Sequence, residues 1–248
     1  MISSANFNPL HPESLSARKR LRKFHETVAS LSARFFPTLV LNDGAIAYRD
    51  LSYRSASVTY DFLSRCWTLF NAIQAGEAAS ERPGIRMVIA TGFRIKGRRA
   101  GLDSTARQFR SLIERLKDGK INISQAIHEA RRIHPTFDIL PQLQANFAFT
   151  KAYVAEQSGS SGGLGGSRCF VDLALFEDRD LTWIELGPRV PWQRPILNLR
   201  ADFAPIQKMA AYSGSKPSPQ GLRNGLSVAQ HLAGDQDVLR ALRSASSK

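Results

Sequence analysis

Between Ser16 and Arg34 the apolar residues Leu21, Phe24, Val28 and Leu31 recur at helical spacing, and Arg18, Lys19, Arg20, Arg22 and Lys23 fill the other face. The pattern predicts an amphipathic helix with a solvated basic side. Two apolar runs, Thr38–Asn42 and Ala45–Tyr48, then flank Asp43-Gly44. An Asp-Gly pair between apolar runs predicts a hairpin whose turn residues take positive φ. Val58, Phe62, Cys66, Leu69 and Ile73 mark a second helix, and Gly84–Gly92 reads as a buried strand. Further helices are expected over Asp103–Lys117, Ser124–Ile133 and Gln142–Gln157, with Pro135 and Pro141 as punctuation. The Gly- and Ser-rich run Ser158–Ser167 is expected to be a flexible connection. Strands are expected at Arg168–Leu175 and Leu181–Leu186. Beyond Pro195 the periodicity fades, with one short helix near Val228–Arg243 and a poorly ordered tail after about Asp202.

This order predicts an α+β fold with a mostly antiparallel sheet covered by helices on one face. Residues 1–34 read as a basic leader and helix, 35–190 as the main domain, and 191–248 as a basic, partly disordered tail. The 43% apolar content of 248 residues supports a sizeable core. No apolar stretch approaches membrane-spanning length, and Met1–Pro9 lacks the order of a signal peptide. A cytoplasmic protein with no membrane partner is the expectation.

Charge changes the picture. There are 34 Lys and Arg against 21 Asp and Glu, a net +13, of which Arg82–His134 alone carries +9. Such a field attracts phosphate, of a nucleotide or of a nucleic-acid backbone, although a solvated basic face has the same composition. Arg94, Lys96, Arg98 and Arg99 form the densest cluster directly after the predicted strand. Cys66 and Cys169 are too few for a disulfide framework, and His128 and His134 have no nearby Cys for zinc. No P-loop, Gly-x-Ser-x-Gly elbow or His-Glu-x-x-His helix is present. Trp67, Trp183 and Trp192 read as core or interface aromatics.

Three stretches carry a family resemblance. Leu41–Tyr48 looks like the Gly-Asp-Gly hairpin of class III nucleotide cyclases, Pro83–Gly92 resembles the strand that follows it, and Ala148–Glu156 with Arg168–Asp172 is similar to the late helix and strand. The last of these pieces resembles the Ala-Tyr-x-Leu-Glu version seen in bacterial cyclase-like proteins, including the pyrimidine cyclases of anti-phage systems. The resemblance implies a ferredoxin- or palm-like cyclase-homology architecture over Phe35–Leu186. It also implies Mg²⁺ or Mn²⁺ as cofactor, a nucleoside triphosphate as ligand and a homodimer as partner state. Asp43 stands at one of the family's two metal carboxylates; Met1–Arg34 offers no counterpart of the first strand that carries the other. Thr150 and Val154 stand where the late helix offers Asn and Arg, and valine donates no hydrogen bond.

The expected sites are therefore Asp43 for metal, and Arg94, Lys96, Arg98, Arg99 and Thr150 for nucleotide or phosphate. Asp43 is equally a turn former. The expected function is a nucleotide-binding cyclase-like protein, inactive or weakly active alone, in bacterial signalling or anti-phage defence. If active, it is a metal-dependent cyclase. A basic nucleic-acid-binding module and an interaction protein that completes its sheet with a partner are the alternatives.

Overall fold

In the computed structural model, residues 11–41, 43–95, 104–133, 143–177, 181–210, 220–233 and 240 are described. The chain divides into two compact units. One comprises Met1–Gly92 and Phe149–Lys248, and the other is the inserted stretch Phe93–Ala148.

The first unit begins with α1 (Pro12–Leu31). His11 caps it through Nδ1, Pro12 occupies the first turn, and Glu13 lies at the positive end of the helix dipole. Phe24 and Val28 are its buried residues, which answers the predicted stripe. The hairpin β1 (Thr38–Leu41) and β2 (Gly44–Ala47) follows, and Leu41 pairs with Gly44. Gly44 is thus already paired in β2, and Asp43 is the turn residue before it. Gly44 does not take a positive φ. The hairpin is two-stranded, as expected, and pairs with no other described strand.

Helix α2 (Ser57–Ala78) buries Tyr60, Leu63, Cys66, Leu69, Phe70 and Ile73. Its Glu77, itself buried, takes a two-armed ion pair from Arg20 of α1. The main sheet contains β3 (Met87–Ile89), β4 (Cys169–Asp172), β5 (Ile184–Leu186), β6 (Val190–Arg194) and β7 (Leu199–Met209). Its order is β3-β4-β7-β5, with β6 also against β7. β3 and β4 are parallel, and every other pairing is antiparallel. Phe203 pairs with Asp172 on one edge of β7 and with Val190 on the other, so β7 is the central strand.

The expected tail is corrected at its start, since Val190–Arg194 and Leu199–Met209 are strands of the main sheet. Phe203, Ala204, Ile206 and Met209 are buried there, each side chain burial of this kind contributing about 1.5–3 kcal/mol for the larger residues. Later, α6 (Gly225–Leu232) packs Val228 into the core and overlaps the start of the stretch expected to hold a short helix.

Side chains alternate across the sheet. Ile89, Cys169, Val171 and Ile206 join Phe24, Val28, Leu63 and Phe70 of the α1–α2 layer. Phe170, Trp192 and Phe203 point the other way, against Ala155 of α5 (Phe147–Ser158) and Leu164. Helices therefore cover both faces, not one. The Gly-rich run is an ordered seat, not a flexible connection. Gly159, Gly163 and Gly166 take left-handed φ, Leu164 is fully buried, and Ser158 Oγ accepts from Trp192 Nε1 at 3.0 Å.

The inserted unit holds α3 (Ser104–Lys117) and α4 (Ile123–Ala130), near their predicted bounds. Asn122 and Gln125 form a reciprocal capping box at the start of α4. Leu112, Ile121 and Ala126 are its small core.

Candidate functional site

The described site residues fall into separate places. Asp43 lies in the β1–β2 turn and is half-buried. Arg94 lies in the inserted unit, where it bridges Asn146; Ile95 N donates to Ala145 O at 3.0 Å and Phe147 N to Phe93 O at 2.9 Å. Arg94 thus belongs to the backbone clasp where the insertion enters and leaves. Thr150 is half-buried in the first turn of α5. Lys96, Arg98 and Arg99 lie outside the described residues.

What the structure assembles instead is a buried charged cluster at the carboxyl ends of the parallel strands β3 and β4. In β4 the sequence Cys-Phe-Val-Asp is buried throughout, and strand alternation places Asp172 on the same face as Phe170, toward α5. Lys151 Nζ of α5 donates to Asp172 Oδ2 at 2.9 Å, with side-chain exposures of 8% and 1%. Thr91 N, just beyond β3, donates to the same oxygen at 3.2 Å, and Ala174 N donates to Oδ1 at 3.0 Å. A carboxylate that accepts from three donors is solvated by the protein in place of water. Both oxygens are engaged, so the cluster locks the ends of β3, β4 and α5 together. Thr150 precedes Lys151 on the same helical turn.

Lys151 and Asp172 lie inside stretches that carry the family resemblance, yet neither was singled out. The signals were present: a lone Lys within Phe147–Ala155, and an Asp closing an otherwise apolar strand. The carboxyl ends of parallel strands are where open α/β sheets place ligands.

The described donor set does not fit a resident pair of divalent ions. Asp43 is one carboxylate, and among the described residues no group of three or more His, Cys, Asp or Glu converges to hold a metal. The thiols lie deep. Burial pushes Cys169 up, and burial together with Cys169 pushes Cys66 well up, so both are neutral at physiological pH.

Two clefts among the described residues lie away from the cluster. One of about 630 Å³ lies along Leu181–Leu186, with Lys208 and Ala210. Its charged residues, Glu185 and Lys208, are cross-strand partners. The other, about 200 Å³, lies between α1 and α2 beside Asp61 and Arg65. There Asp61 is paired with both Arg49 and Arg65. Comparison with protein-family models, curated proteins and solved structures returned no match.

Proposed function

We propose that the chain is a cyclase-like protein that binds a nucleoside triphosphate or a related polyphosphate and makes no cyclic nucleotide robustly by itself. The observation that carries this reading is the order of described elements: Asp43 in a hairpin turn, then α2 and β3, then α5 crossing to β4 parallel beside β3. The stretches that carry the resemblance lie in three of these elements in the same sequence order, and a strongly basic stretch follows β3. In this reading Asp43 supplies one carboxylate, and a divalent ion arrives with the triphosphate, whose oxygens supply most of its ligands. Loss of one preorganised charge-stabilising group costs about 2.7–4 kcal/mol of transition-state stabilisation in other enzymes. Here a carboxylate and the Asn/Arg pair have no counterparts.

Thermal shifts of the full chain with ATP, GTP, CTP and UTP, each with Mg²⁺ or Mn²⁺, test the proposal. The expected result is a metal-dependent shift that Asp43→Asn diminishes. Replacing Arg98 and Arg99 with Ala should weaken binding with or without metal. Clear cyclic product that Asp43→Asn abolishes overturns the inactive half of the reading; no shift with any triphosphate overturns the binding half.

A nucleic-acid-binding reading is favoured by one feature, the eleven Lys and Arg against five Asp and Glu in residues 93–148. It predicts a steep loss of RNA or DNA affinity between about 50 and 200 mM salt, with no triphosphate shift.

A further inference from the structure

The inserted unit bears an apolar strip that its own core does not use. In α3, Leu112 is buried and Leu116 partly so, while Phe109 and Ile113, one turn apart, are exposed. In α4, Ala126 is buried and Ala130 partly so, while Ile123 and Ile127, again one turn apart, are exposed. These four large side chains are 38–69% exposed.

Helical geometry places them together. Residues 118–122 turn the chain back, and Arg115 grips Glu129 with two bonds of 2.7 and 3.1 Å along one side of the helix pair. At 3.6 residues per turn, Phe109 and Ile113 lie on the flank of α3 away from Arg115. Ile123 and Ile127 lie on the flank of α4 away from Glu129. The two exposed pairs therefore line the other side of the hairpin as the walls of one groove.

Cations outnumber acids along the rim of that groove, where Glu114 beside Ile113 is also exposed. Arg110 and Lys117 follow Ile113 around α3, Arg131 follows Ile127 around α4, and all three are exposed. Glu129 is committed to Arg115 on the opposite side. A second copy of this chain would bring the same cations against one another. Isoleucine, stiff at χ1, offers fixed ridges suited to the 8–10 Å spacing of packed helices.

We propose that this groove docks an amphipathic helix of a partner protein whose apolar face is flanked by Asp and Glu. The apolar ridge of that helix packs between Phe109, Ile113, Ile123 and Ile127, and its acidic flanks meet Arg110, Lys117 and Arg131. The inference does not depend on nucleotide binding.

The test uses the full chain and a synthetic peptide of about 18 residues, long enough for substantial helix, with Leu on one face and Glu on its flanks. A scrambled peptide of identical composition and a Lys-flanked version are the controls. Fluorescence anisotropy should give a Kd of about 10 µM or tighter for the acidic peptide only. Ile123→Ser with Ile127→Ser, both at exposed positions, should weaken binding at least about tenfold while circular dichroism stays unchanged. Arg110→Glu with Arg131→Glu should transfer the preference to the Lys-flanked peptide. Ile127→Cys should label rapidly with maleimide, since the native thiols are buried. Equal binding of the scrambled peptide, absence of binding, or slow labelling overturns the proposal. Binding to phosphatidylserine vesicles without the acidic peptide overturns it in favour of a lipid surface. A concentration-dependent dimer that the Ile variants break overturns it in favour of self-association.

Discussion

Lys151 Nζ lies 2.9 Å from Asp172 Oδ2, and the pair is closed off from solvent between α5 and the ends of two parallel strands. Removing one partner of such a pair leaves an uncompensated buried charge, at about 3–5 kcal/mol. Asp172→Ala should reach that range, because it strands the ammonium and the Thr91 and Ala174 amides together. Lys151→Met should cost less, since both amides still solvate the carboxylate. Urea unfolding of the two variants measures the difference; a larger loss for Lys151→Met would contradict the arrangement.

The central position of β7 gives a second expectation. Phe203 is fully buried between the sheet and α5, so Phe203→Ala should lower stability by about 3–5 kcal/mol. Amide exchange at Phe203, Ala204 and Ile206 should be among the slowest in the first unit. Truncation after Asn198 should abolish cooperative unfolding. Rapid exchange in that segment would restore the tail that the sequence pattern suggested.

Two glycines with similar backbones should respond differently to substitution. Gly119 has φ 68° and nothing within 4 Å of an added Cβ, so Gly119→Ala carries only left-handed strain, about 1 kcal/mol. Gly163 has φ 78°, and its Cβ would lie 2.8 Å from Val190 Cγ1, which packs beside the second core cluster. Gly163→Ala should therefore cost about 2 kcal/mol or more. Equal shifts in thermal midpoint would show that Val190 yields freely.

Cys66 and Cys169 make stability fall in alkali. In the unfolded chain they ionise near the ordinary value of 9.0, whereas burial holds both protonated well above it in the fold. The unfolded state then binds fewer protons, so stability drops as pH rises past about 9, by about 1.4 kcal/mol per pH unit for each thiol. Denaturation midpoints of the chain and of a Cys66→Ala, Cys169→Ala variant, compared at pH 8 and 10, isolate this slope. Parallel pH dependence in the two proteins would sink the prediction.

Much of the first unit was legible because its elements follow strong periods. α1, α2 and the β1–β2 hairpin lie close to where apolar spacing put them. β7 was not legible, since Arg200, Asp202, Pro205 and Lys208 interrupt any simple alternation. Pro205 in particular argues against a central strand. The structure accommodates it at an irregularity: the β5–β7 register shifts between Glu185 and Leu186, and Gly187 N donates to Pro205 O at 2.8 Å.

The Gly-rich run misled through composition, because glycine content signals freedom until an anchor such as Leu164 fixes the path. Of the site residues, Asp43 and Thr150 could be assigned to a turn and a helix. The Lys151–Asp172 contact could not, because it joins residues 21 apart in sequence that meet only after α5 crosses to β4.

The placement of β7 also sets a timetable for the nascent chain. β4 is synthesised first, then β5 and β6, and the strand that joins them comes last, ending 37 residues after Asp172. At the usual pace of translation that interval is roughly 2–7 s. Throughout it, the apolar edge of β4 and the β5–β6 segment wait without their common partner. A nascent chain held after β4, β5 and β6 have emerged from the ribosome but before β7 has done so would present an adhesive half-sheet, exposed to aggregation until its common strand arrives.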